Sequence, residues 1–139
     1  MLERVEYAGA DLLETLRAAA ARTAREARED PAELADTADA VARVLRETEL
    51  GRLFTPAPGR VVLREQEFCD EKGRLFRMDR VVVDPDRVTV VDFKTGAEET
   101  GRYVEDVRTY ARILGQVYPE RHVDALLAWV DAGSVQKVL

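Results

Sequence analysis

Val88-Thr89-Val90-Val91-Asp92-Phe93-Lys94-Thr95-Gly96 starts as an apolar strand and ends in an acid, an aromatic and a base. Successive side chains of a strand leave on opposite faces, so Asp92 and Lys94, two residues apart, share one face. Upstream, residues 60–69 and 75–83 read as two further strands, rich in Val, Leu and Phe. Between them Asp70-Glu71-Lys72-Gly73 fits a tight hairpin, with Gly73 in the left-handed position of a three-residue loop. That loop sets Asp70 opposite Arg74, Phe68 opposite Phe76 and Glu65 opposite Asp79. Asp84-Pro85-Asp86-Arg87 is a second turn, leading into the strand at 88–93.

The periodicity changes on either side of these strands. Downstream, residues 95–101 form a polar loop. Residues 103–118 then carry Val104, Val107, Ala111 and Leu114 at helical spacing. An apolar strand at 123–130 ends at Asp131-Ala132-Gly133, and residues 134–139 return as a short edge strand. At the other end, Val5, Ala8, Leu12, Leu16 and Ala19 predict a long helix over residues 3–28. Asp30-Pro31-Ala32-Glu33 is a helix start: Asp30 caps, Pro31 takes the first helical position, and Glu33 reaches back. The second helix runs to about Glu47, with Leu34, Ala38, Val41 and Leu45 inward. Residues 51–59, with two glycines and two prolines, read as a connector. The chain is thus an α/β domain: a helical hairpin over residues 1–50, the connector, and a mixed core over 60–139.

Composition bounds the function. The chain has 139 residues, enough for one core, and no apolar run near the roughly 20 residues of a membrane span. No signal peptide is visible. Cys69 is the only cysteine, which excludes an internal disulfide and a cysteine-ligated metal, and points to a reducing, cytoplasmic compartment. No glycine-rich phosphate loop exists, so the chain is not a complete nucleotide-driven machine. Net charge is −6, against tight non-specific nucleic-acid binding. The charge is uneven: residues 1–50 hold twelve acids and seven bases, and the remainder is almost balanced. Eighteen of the 21 basic residues are arginine, so a local phosphate-binding face is possible in the second part.

Four charged side chains interrupt stretches that otherwise read as buried: Glu65, Asp79, Asp92 and Lys94. Two carboxylates directly opposite on a ladder repel, unless a cation between them reverses the sign. With Asp92 added from the next strand, three carboxylates can converge beside Lys94. Such hard oxygen ligands suit Mg²⁺ or Mn²⁺. A carboxylate-bound divalent ion next to a lysine suits phosphodiester hydrolysis, the metal acidifying water and the lysine orienting it or stabilising developing charge.

Glu65, Met78-Asp79-Arg80, Val91-Asp92-Phe93-Lys94-Thr95-Gly96 and Tyr103…Tyr110-Ala111-Arg112 together resemble the RecB-type branch of the PD-(D/E)XK nucleases. That module sits at the C-terminus of UvrD-like helicase–nucleases such as the AddA and RecB subunits. The resemblance spans residues 60–131. It implies a restriction-endonuclease-like mixed sheet flanked by helices, and a Mg²⁺- or Mn²⁺-dependent deoxyribonuclease acting in recombinational repair of DNA breaks. Its expected partners are DNA, helicase domains of the same parent chain and a partner subunit, with no membrane. By the same resemblance Asp79 and Asp92 are metal ligands, completed by the main-chain carbonyl of Phe93. Glu65 is a further acidic member and Lys94 the catalytic lysine. Asp106, Tyr110 and Arg80 fall at substrate-contacting positions.

Two positions depart from the family pattern. Asp106 stands where the family usually has Gln, four residues before the helix tyrosine, and an ionised carboxylate cannot donate to phosphate. No histidine precedes His122, whereas family members often carry a metal-site histidine on an upstream helix, a region matched here by Ala8-Gly9-Ala10-Asp11-Leu12-Leu13-Glu14. These departures keep open a second reading, a nuclease-like DNA-binding or protein-docking module with turnover weak or lost. A third is a scaffold domain whose acidic helices contact a partner. Arg77, Arg80, Arg102, Arg108 and Arg112 are the arginines nearest the site in sequence. His122, Trp129 and Cys69 read as a surface residue, a core residue and an inert thiol.

Overall fold

The computed structural model describes residues 2, 5–7, 9, 11–96 and 100–139. Five strands form one open mixed sheet in the order β1-β2-β3-β4-β5: β1 Val61–Cys69, β2 Leu75–Val83, β3 Arg87–Lys94, β4 His122–Trp129 and β5 Ser134–Lys137. Neighbours are antiparallel except β3 and β4, which are parallel and joined by the crossover helix α3, Thr100–Val117. A parallel pair needs such a long connection, and residues 95–121 supply it.

Alternation along the inner strands assigns the two faces. Val82, Val91, Leu126 and Ala128 pack with α1 (Leu12–Ala27) and α2 (Pro31–Glu47). Val81, Val88, Val90, Ala125 and Leu127 pack with Val107, Ile113 and Leu114 of α3. β3 and β4 are therefore covered on both sides, which is why their runs are almost continuously apolar. Among the described residues no helix is long and apolar enough to cross a membrane.

The hairpin follows the register set by its turn. Phe68 faces Phe76, Asp70 N–H donates to the Arg74 carbonyl at 3.0 Å, and Gly73 has φ +78°. Asp70 holds the turn with its side chain, accepting from Lys72 N (2.9 Å), Arg74 N (2.8 Å) and Arg74 Nε (2.7 Å). Burial pushes this carboxyl up, but those donors outweigh it and hold it below the usual range.

Two expectations about the first third need correction. The first helix starts at Leu12, not at residue 3. Val5 is buried but lies outside it, and Ala8 falls outside the described residues. The carbonyls of Val5 and Glu6, which a helix would use for its own ladder, accept instead from the Arg80 guanidinium. The connector, in turn, is partly core. Glu49–Phe54 is a short 3₁₀ helix whose Leu50, Leu53 and Phe54 are fully buried. The second helix is as expected, with Ala32 N donating to Asp30 Oδ1 at 2.9 Å.

Candidate active site

The β2–β3 ladder runs from Val83–Val88 to Arg80–Val91 and stops there. One step further would bring Asp79 against Asp92. Instead, Phe93 N–H donates to Asp79 Oδ2 at 2.9 Å. A residue's N–H and C=O leave a strand on the same edge, so the Phe93 carbonyl also faces the Asp79 side. β3 meanwhile stays paired to β4 through Lys94–Trp129. Its last three residues are thus anchored on one edge and open to a side chain on the other.

Asp92 is 4% exposed, and among the described residues its Oδ2 has no aligned hydrogen-bond donor. Lys94 Nζ lies 3.0 Å from that oxygen, an ionic approach without hydrogen-bond geometry. The ammonium also stands 4.6 Å from the centroid of Tyr103, whose ring lies against Trp129 at 5.8 Å. Burial lowers the Lys94 pKa, but Asp92, Asp79 and Tyr103 outweigh this and raise it, keeping the ammonium charged. Tyr110 packs edge-on against Phe76, with centroids 6.2 Å apart. Burial first, then the charges of Asp92, Asp106 and Asp79, push its phenol to about 12, so it remains a hydrogen-bond donor.

Asp79, Asp92, Lys94, Asp106 and Tyr110 therefore share one electrostatic neighbourhood between the end of β3 and α3. Glu65 does not join them. The ladder pairs Arg64 with Arg80 and Gln66 with Met78 but skips the Glu65–Asp79 step between them; the Glu65 backbone takes φ +48° and its carboxylate pairs with Arg77. Strand alternation breaks at this level: Arg80 and Val82 face the helical hairpin, whereas Met78 and Phe76 pack on the α3 side. A hard-oxygen set remains in Asp79, Asp92 and the Phe93 carbonyl. Among the described residues no group of three or more His, Cys, Asp and Glu is disposed to hold a metal. Mg²⁺ needs no such cage, since it is commonly held by one or two carboxylates and keeps several waters. The unaligned, buried Asp92 Oδ2 fits a cation of that kind.

Arg80 requires a correction. It is fully buried on the far face, donating to the carbonyls of Val5, Glu6 and Leu53, with its guanidinium 3.7 Å from the Phe54 ring centroid. Desolvation lowers its pKa to about 10, and it is a strut for the N-terminal segment, out of reach of any substrate. Other arginines nominated from sequence have acidic neighbours: Arg77 with Glu65, Arg108 with Glu105 (2.6 Å), and Arg112 with Glu71 (2.8 Å). Such exposed pairs are weak and phosphate can compete for them. Trp129 is 8% exposed at the floor of the site, Cys69 is an exposed thiol, and the His122 side chain is 65% exposed.

Sequence reasoning missed Asp131. Its Oδ2 accepts from Gly96 N at 2.8 Å, tying the turn after Lys94 to the end of β4. No local signal could have found it, because the contact depends on the parallel register that pairs Lys94 with Trp129 and so brings Gly96 beside Asp131. No family model matches the chain, and no curated protein is significantly similar to it.

Proposed function

We propose that this domain is a Mg²⁺-dependent deoxyribonuclease of restriction-endonuclease-like fold, working as part of a helicase–nuclease in DNA break repair. The observation that carries the reading is the Asp92–Lys94 pair: a buried carboxylate with an unaligned oxygen, 3.0 Å from an ammonium and beside Asp79. Asp79, Asp92 and the Phe93 carbonyl would hold the ion, whose contribution would be to polarise the phosphoryl oxygen and acidify water. The chain's own groups do the rest. Lys94 stabilises charge developing on the phosphoryl oxygens and orients the attacking water. The Tyr110 hydroxyl donates to a non-bridging oxygen. The Gly96–Asp131 bond fixes the backbone that presents Lys94. Asp106 favours a second reading, the nuclease-like binding module, because it adds a negative charge where phosphate must approach.

Digestion of linear single- and double-stranded DNA in Mg²⁺ or Mn²⁺ separates these readings. Cleavage lost both in Lys94→Ala and on adding EDTA supports the nuclease. Mg²⁺ binding without cleavage selects the module, and neither binding nor cleavage removes both.

A further inference from the structure

A cavity of about 430 Å³ opens on the other side of Lys94, toward the helical hairpin. It falls within the size of ordinary small-molecule sites, about 300–1,000 Å³. Leu34 and Val41 of α2 form one apolar wall, and Phe93 and Val130 from the sheet another. Lys94, Thr95 and Tyr103 close the end next to the carboxylates. The reacting centre and the cavity thus share a lysine, and a phosphate drawn to Lys94 has its own nucleoside at the mouth.

The polar groups of the cavity have a definite sense. Thr23 Oγ1 donates to the Ala19 carbonyl at 3.0 Å, and Thr37 Oγ1 to the Glu33 carbonyl at 2.9 Å. With those hydrogens engaged, both hydroxyls offer a ligand only lone pairs. Glu29, the remaining polar group on this side, is also an acceptor when ionised. Apolar walls with an acceptor-rich edge suit an unstacked heterocycle bearing N–H donors. Adenine, cytosine and guanine carry exocyclic amino groups with two N–H donors each, whereas thymine offers only its ring N3–H.

We infer that this cavity receives one unstacked base of the strand being cut, preferring amino-bearing bases to thymine. The ligand's identity rests on the nuclease reading above; the cavity and its acceptors do not. A base can enter only when it is unpaired, so the inference makes the substrate a single strand or a frayed end.

Two arms test it. In the first, dAMP, dCMP, dGMP, dTMP and deoxyribose 5-phosphate are titrated by NMR without metal. The expected result is that the three amino-bearing nucleotides bind about fivefold or more tighter than dTMP and deoxyribose 5-phosphate. Thr37→Val, which removes an acceptor at nearly constant shape, narrows that preference. In the second, Thr37→Trp fills the cavity from a half-buried helix position. The ratio of oligonucleotide cleavage to hydrolysis of bis(p-nitrophenyl) phosphate, an ester without a base, falls about tenfold or more. Nucleotides binding no tighter than deoxyribose 5-phosphate, or an unchanged ratio in a folded Thr37→Trp protein, overturns the inference. If wild type hydrolyses neither ester, the nuclease reading fails instead, and the binding arm still decides the cavity.

Discussion

Two buried aspartates on adjacent strands meet opposite fates. Asp124, near the start of β4, is 1% exposed and has three basic side chains around it: Arg87 at 2.5 Å, His122 at 3.2 Å and Lys137 at 3.4 Å. Asp92, at the end of β3, is 4% exposed, with Lys94 at one oxygen and no aligned donor there. β3 and β4 are parallel, so the two lie at opposite ends of the sheet. At one end a buried charge is fully compensated and ties β3, β4 and β5 together. At the other, among the described residues, it meets a single ammonium at one oxygen beside a second carboxylate. A carboxylate that is buried but under-coordinated adds little to stability, and its chemistry lies in what it can still bind.

Activity is where the two ends should part most. Lys94→Ala is expected to lower DNA cleavage in Mg²⁺ by about 100-fold or more. Arg87→Ala, at the compensated end, should leave the specific activity of the folded protein within about twofold. Equal losses in the two variants erase the distinction.

Stability should reverse that order. Arg80, buried on the hairpin face, sets the upper limit. Arg80→Leu strands three carbonyls and should cost about 3 kcal/mol in urea unfolding. Asp124→Ala should cost about 2 kcal/mol, less because Arg87 and Lys137 are exposed enough to be solvated. Asp92→Asn should lie within about 0.5 kcal/mol of wild type without metal. Adding Mg²⁺ should then raise the melting temperature of wild type and not of Asp92→Asn.

The acid limb sharpens the contrast further. Burial pushes the Asp124 carboxyl up, but Arg87 and Lys137 outweigh this and hold it below the ordinary carboxylate range. A carboxyl with a lowered folded pKa contributes stability above its unfolded value, about 3.9, and loses it as pH falls through the folded one. Wild type should therefore lose more stability than Asp124→Asn below about pH 4, measured as the urea midpoint across that window. The smallest effect is expected at Gly96, with φ +77° and, among the described residues, no atom near an added Cβ. Gly96→Ala should cost about 1 kcal/mol from backbone strain alone.

Much of the fold was legible because local rules governed it. Gly73 and the three-residue loop set the β1–β2 register, and β-branched runs set β2 and β3. Asp30 and Pro31 marked the start of α2. Leu50, Leu53 and Phe54, at helical spacing, were a readable sign of a core element inside the connector, masked by the glycine and prolines around them. The start of α1 was not readable, because Arg80, far along the chain, captures the carbonyls of Val5 and Glu6.

The sequence by itself determined the element types, the hairpin register, and the placing of Asp92 and Lys94 on one strand face. Each depends on turn chemistry or side-chain period, which act over a few residues. Tertiary structure decided which charges remain available. Asp79 caps the Phe93 amide, Glu65 turns to Arg77, Arg80 disappears into the far face, and Asp131 secures Gly96. Those outcomes follow from partners brought together across the sheet, where the demand to satisfy buried polar groups, not local periodicity, selects the arrangement.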